Sequence, residues 1–190
     1  MSDVIVSKQP NEYLKQGLSH CGVYTAKGIL EAYDKFDFDQ PEELHNSLLG
    51  RLTGSLTPKM LKNVLETNGL NSTIGIAQGS DKQKIEIIKE EILNDRPVIV
   101  LIGNGYKKDG SFSKFKKSYM SHWISVWGFN DETKVFYLYD SCVPRELYSK
   151  NIPIGNIERS YERVVEDWSG SFYRNLLAWS AYLYIKVDEK

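Results

Sequence analysis

Gln16, Cys21, His122 and Asp140 are residue types that acyl transfer through a thiol requires. A thiol attacks as its thiolate, and a free pKa of about 8.5 leaves little of that form at neutral pH. A cysteine in the first turn of a helix gains from unpaired amides and the positive end of the helix dipole. A neighbouring imidazolium lowers the pKa further. Three histidines are available. His20 adjoins Cys21, and consecutive helix residues point in different directions. His45 falls in a short polar segment and is expected at the surface. His122 opens a strand reading His-Trp-Ile-Ser-Val-Trp-Gly-Phe, where a side chain can be held rigidly, and is the candidate base. The other ring nitrogen of such a base needs an acceptor. Asp140 ends the following apolar run, Phe136 to Asp140, and can supply it. The Cys21 amide and the Gln16 side chain are the donors at hand for an oxyanion. Gly22 is expected to leave room for a substrate backbone. Each residue has ordinary structural uses when taken singly. It is the set, in the order Gln, Cys, His, Asp, that points to catalysis.

Periodicity and turn residues outline the elements that must position these groups. Ser19 can cap a first helix in which Val23, Ala26, Leu30 and Tyr33 recur at helical spacing, with Cys21 in its first turn. A short helix is expected over Glu42 to Leu49, ended by Gly50. Thr57, Pro58 and Gly69 bracket a third helix, with Met60, Leu61, Val64 and Leu65 as its apolar face. Asn71 to Ile76 reads as a strand. Lys82 to Asn94 reads as a helix with Ile85, Ile88 and Ile92 on one side. Val98 to Ile102, apolar and β-branched after Pro97, reads as a central strand. Gly103 to Ser118 is a polar, lysine-rich stretch and is expected to be a solvated loop. His122 to Phe129 and Val135 to Asp140 form a hairpin turning at residues 130–133. Antiparallel pairing then sets a residue near about 141 opposite His122, so Asp140 lies close to that ring. Ile157 to Trp168 reads as a helix and Leu177 to Val187 as a closing strand. Trp168 or Trp179 could shield the bond between His122 and Asp140. The order of elements is α+β: an N-terminal helical half packed on a C-terminal antiparallel sheet.

Composition narrows the function classes. The 190 residues fit one domain, 1–190. The formal charge of −1 gives no basic surface for nucleic acid. Met1 to Lys15 has no apolar signal segment, and the longest apolar run, Val98 to Ile102, is far too short to span a bilayer. No membrane insertion is expected, and the expected location is the cytoplasm, with a non-classical export route invisible to such a reading. Two cysteines make no disulfide scaffold, and a bridge between Cys21 and Cys142 would occupy the nucleophile. No metal and no cofactor is expected. Cys21, His122 and Cys142 lack paired metal-ligand spacing. Gly103-Asn104-Gly105 lacks the lysine of a phosphate loop.

The chain resembles the C39-like peptidases of the papain-like superfamily. The resemblance covers residues 13–187. It rests on Gln16-Gly-Leu-Ser-His-Cys21-Gly22, on Leu56 to Leu70, on Leu93 to Val100, on Ser121-His122-Trp123-Ile-Ser-Val and on Tyr139-Asp140-Ser141. It implies a papain-like fold with Cys21 as nucleophile, His122 as base, Asp140 as the group orienting that base and Gln16 in the oxyanion hole. It further implies a peptide or protein substrate cleaved at an amide bond through an acyl-enzyme. Here Gln16 stands five residues before Cys21, where papain-like enzymes commonly use six, and Ser141 stands where C39-like sequences usually have proline. Two other readings fit the same fold: a deamidase or acyltransferase acting on a protein, and a binding module whose site has decayed. Oligomeric state is not legible.

Overall fold

The computed structural model describes residues 3–17, 19–45, 48–107, 109–170 and 181–189, with the side chains of all of these but Leu48, Leu49 and Thr53. Strand β1 (Val4–Ile5) precedes helix α1 (Cys21–Ala32), followed by a 3-10 turn at Pro41–Leu44. Helices α2 (Leu48–Thr53) and α3 (Pro58–Thr67) lead to strand β2 (Leu70–Ile76), helix α4 (Asp81–Leu93) and strand β3 (Val98–Gly103). Helix α5 (Lys114–Tyr119), strands β4 (Ser121–Asn130), β5 (Val135–Tyr139) and β6 (Ile157–Ser160), helix α6 (Tyr161–Trp168) and strand β7 (Leu183–Glu189) complete the order.

The strands form one antiparallel sheet in the order β2-β7-β3-β4-β5-β6, with β1 pairing against the far end of β4. The fold is α+β, as the order of elements required. The sheet is not confined to the C-terminal half, because β1 and β2 belong to it. Every residue of β3 is buried, as is His122 through Phe129 of β4. An antiparallel strand buried at consecutive positions must be covered on both faces. On β4, the Thr25 hydroxyl of α1 donates to the Trp123 carbonyl at 3.2 Å. Helices α4 and α6 touch one another, α4 packing on β3 and β4 and α6 on β3, β5 and β6.

Several boundaries differ from the sequence reading, each for a local reason. Helix α1 is capped by His20 rather than Ser19, with no side-chain cap bond. Of the segment expected as one helix over Glu42 to Leu49, Glu42 to Leu44 belong to a 3-10 turn closed by a capping box between Gln40 and Glu43, while Leu48, Leu49 and Gly50 lie inside α2. His45, expected at the surface, is buried. Its ring stacks edge-on to His20 at 6.0 Å, and the ring of His20 bonds the Arg51 carbonyl at 2.6 Å. Thr57 caps α3 and Gly69 follows its end with φ of 90°, but Met60 turns outward while Leu61, Val64 and Leu65 are buried. The lysine-rich stretch contains α5, capped by Ser113, and is held in place: Lys117 donates to the Glu166 carbonyl at 2.6 Å. Ile157 to Ser160 is a strand, because it pairs with β5, and only Tyr161 onward is helical. The closing strand begins at Leu183. Residues 177–180 of the expected strand, Trp179 among them, lie outside the described residues. The Trp168 indole donates to the Leu183 carbonyl at 2.7 Å and stacks on Tyr182 and Tyr184, so its polar group is engaged there and not with His122.

Candidate active site

Three elements meet where the sequence places its chemistry. Cys21 is the first residue of α1, His122 the second of β4, and Asp140 follows directly on β5. The first amides of a helix have no partner within it. Cys21 shares a cavity wall with His122 and Trp123, and the His122 ring and the backbone N–H groups of Trp123 and Gly22 all act to lower its pKa. Burial raises the Cys21 pKa, but the hydrogen bond and charge of His122 outweigh it, and the net direction is down. Gly22 does not open a path for substrate. The space a side chain would take there is filled by Leu56, whose Cδ1 would stand 2.9 Å from an added Cβ. The Leu56 carbonyl in turn accepts from the Trp123 indole at 3.0 Å, which locks the helix start against β4.

His122 is buried, and its Nε2 lies 2.7 Å from Asp140 Oδ1. Burial alone would lower its pKa. The Cys142 sulfur and the Asp140 carboxylate overcome that, and the imidazole is raised well above its ordinary value. Asp140 is buried too, yet its carboxyl is held far below the usual range. Burial pushes it up, and the His122 and Arg159 charges push it down by more. The Asp140 backbone is pinned on both sides by Asn156, whose side chain accepts from the Asp140 N–H at 2.9 Å and donates to its carbonyl at 2.9 Å. Arg159, from β6, donates to Asp140 Oδ2, and its guanidinium lies 4.3 Å from the centre of the Tyr106 ring.

Gln16 is buried beside these groups. Its backbone N–H donates to the Ser141 carbonyl at 2.9 Å, and its Oε1 accepts from the Ser141 hydroxyl at 2.6 Å. The amide oxygen is therefore engaged, and the NH2 end is the donor left for other use. Gln16, Cys21, His122 and Cys142 line one cavity of about 230 Å³, together with Leu56, Asn104 and Trp123. All four sequence-chosen residues are thus brought together, Asp140 behind His122 and the other three on the cavity wall. His20 and His45 are engaged elsewhere.

The sequence profile of the peptidase C39-like family matches residues 2–167. The chain belongs to this family of cysteine peptidases. Two solved structures carry the same fold. One is a double glycine motif protease from an AMS/PCAT transporter in complex with its leader peptide. It is 12% identical, with a TM-score of 0.53 and 100% of both chains covered. The other is described as a C39-like peptidase from Bacillus anthracis. It is 10% identical, with a TM-score of 0.57, and the alignment covers 100% of this chain and 99% of that one. At such identities the likeness speaks to fold. Among curated proteins there is no match. Among the described residues, no helix of the peptidase is long and apolar enough to cross a membrane.

Two groups around the site of this C39-like peptidase, Arg159 and Asn156, were not singled out from sequence, and a third, Cys142, was weighed only as a disulfide partner or metal ligand and set aside. Arg159 lay in a segment read as helix, where its partner could not be guessed. Asn156 acts through backbone contacts that leave no motif. Cys142 was legible in principle. Ser125 pairs with Tyr139, so three residues back His122 faces three residues on, at Cys142. The turn-side pairing, Gly128 with Tyr137, would by itself set position 143 opposite His122, and the bulge between Val126 and Gly128 brings this to 142, one beyond the expected 141. Cys142 Sγ stands 3.6 Å from His122 Nδ1, and its N–H donates to Asp140 Oδ1 at 3.0 Å in a tight turn. Both cysteines are free thiols. His122, Asp140 and Cys142 offer donor atoms within 4.8 Å of one another.

Proposed function

We propose that the peptidase cleaves a peptide bond through a Cys21–His122–Asp140 triad with Gln16 in the oxyanion hole, all within one catalytic domain. The observation that carries this reading is the ring of His122, which shares a cavity wall with Cys21 and is held from behind by Asp140 at 2.7 Å. Asp140 fixes the ring so that Nδ1 faces the sulfur. The Cys21 thiolate attacks the carbonyl carbon, and the oxyanion takes hydrogen bonds from the Cys21 N–H and the Gln16 amide. Ser141 supports that role by holding the Gln16 oxygen, which turns the donor end away. His122 Nδ1 gives its proton to the leaving amine and an acyl-enzyme remains. The neutral ring then takes a proton from water, hydroxide attacks the thioester, and Cys21 leaves as thiolate.

A peptide substrate is supported by the fold neighbour crystallised with a leader peptide. The test uses a library of extended peptides with product analysis by mass spectrometry. Wild-type protein releases two shorter fragments, iodoacetamide stops the release, and Cys21→Ala abolishes it by several orders of magnitude, about the scale of losing a nucleophile. Cleavage that persists in folded Cys21→Ala rejects the triad.

A further inference from the structure

We propose that Cys142 and His122 give this peptidase a site for a soft divalent metal such as zinc, with His122 Nδ1 and Cys142 Sγ as the paired ligands and Cys21 Sγ, on the same cavity wall, as the third. Binding there blocks hydrolysis. The distance is the first argument. Tetrahedral zinc holds sulfur at about 2.3 Å and imidazole nitrogen at about 2.05 Å, which sets the two ligand atoms about 3.6 Å apart. Cys142 Sγ and His122 Nδ1 are 3.6 Å apart, in direct contact. One ion can bridge them without moving the backbone.

The second argument is the far side of the ring. A metal-binding histidine usually gives its other N–H to a carboxylate, which fixes the tautomer and makes the ring a better ligand. His122 Nε2 has that partner in Asp140 at 2.7 Å. Asp140 itself is not a ligand, because its oxygens are taken by His122, Arg159 and the Cys142 N–H. The third argument is access and donor count. Cys21 and Cys142 line the same open cavity of about 230 Å³ as His122, so a hydrated ion can enter and keep one water as fourth ligand. Sequence spacing could not suggest the site, since its donors come from α1, β4 and the turn after β5.

Zinc takes cysteine as thiolate and histidine as neutral imidazole, so each ligand gives up whatever proton it carries, and two thiolates neutralise the divalent charge. Binding therefore weakens as pH falls.

The inhibitory half of this proposal rests on the triad reading, whereas the binding half does not. Cobalt(II) serves as a spectroscopic probe and zinc as the inhibitor, with wild type, Cys142→Ser and Cys21→Ser compared. The wild type is expected to bind one cobalt ion with thiolate-to-metal absorption that either serine variant reduces by about half. Zinc inhibition of Cys142→Ser is read against that variant's own rate with chelator present. Its inhibition by zinc should need at least about tenfold more metal, the loss that even an outer-shell partner brings. Equal cobalt absorption and equal zinc inhibition in wild type and Cys142→Ser overturn the proposal, as does absence of cobalt binding by folded wild type. Where chelated, folded Cys142→Ser hydrolyses no peptide, the cobalt spectra decide the metal site alone.

Discussion

Arg159 holds the carboxylate oxygen of Asp140 that His122 leaves free. Both partners are buried, so neither charge can fall back on water. Removing one partner of such a pair costs far more than the pair contributes, because the other charge is stranded. Arg159→Leu is expected to lower stability by about 3–5 kcal/mol, read from denaturant unfolding. Arg159→Lys should recover part of that while losing the flat stack on Tyr106. A loss under about 1 kcal/mol for Arg159→Leu, the range of exposed pairs, would show that the cation is dispensable.

Gln16 makes a narrower claim testable. Gln16→Ala should lower kcat by about 10²–10³-fold, the effect of deleting one oxyanion donor, with a smaller change in KM. The circular dichroism spectrum should not move, because the backbone bond from Gln16 to Ser141 survives the substitution. An unchanged kcat would remove Gln16 from the mechanism.

The pKa directions give the pH profile. Cys21 is lowered and His122 raised, and both shifts favour a thiolate–imidazolium pair. The acid limb of kcat/KM should therefore fall below the ordinary thiol value of about 8.5, and the alkaline limb above the ordinary imidazole value of about 6.5. Asp140→Asn removes the charge that helps hold His122 protonated, and should move the alkaline limb to lower pH. An alkaline limb that stays put would mean Asp140 does not act on the ring.

Stability follows the same groups with opposite signs. The lowered Asp140 carboxyl contributes stability above its unfolded value of about 3.9, and that contribution is lost as pH falls through the native value. The raised His122 contributes below about 6.5 and is lost as pH rises through its native value. Thermal melts should thus hold between the two and weaken on the alkaline side in wild type more than in His122→Gln.

Gly155 tests the frame behind the site. Its φ is 86°, and an added Cβ would stand 2.3 Å from the Leu138 carbonyl oxygen. Gly155→Ala must shift the neighbouring Asn156, whose side chain brackets the Asp140 backbone. A loss of about 1–3 kcal/mol is expected, the scale of a strained left-handed residue, with kcat reduced as well. Full stability and full activity in this variant would show that the turn relaxes freely.

Local chemistry was enough to read much of this peptidase from its residues. A cysteine at a helix start, a histidine at a strand start and a carboxylate at the end of the paired strand carry their meaning in short range, through capping, alternation and hairpin pairing. The buried run Val98 to Gly103 and the cap at Thr57 are of the same kind. What depended on distance along the chain was decided only by tertiary packing. Cys21 and His122 are 101 positions apart and meet because Thr25, Leu56 and Trp123 dock α1 on β4. Ile157 to Ser160 became a strand because β5 offered it an unpaired edge, and that pairing delivered Arg159 to Asp140. The bulge at Trp127 turned Cys142 toward the same imidazole. Backbone pairing and burial are satisfied by whatever the rest of the fold supplies, so no local pattern can specify these last partners.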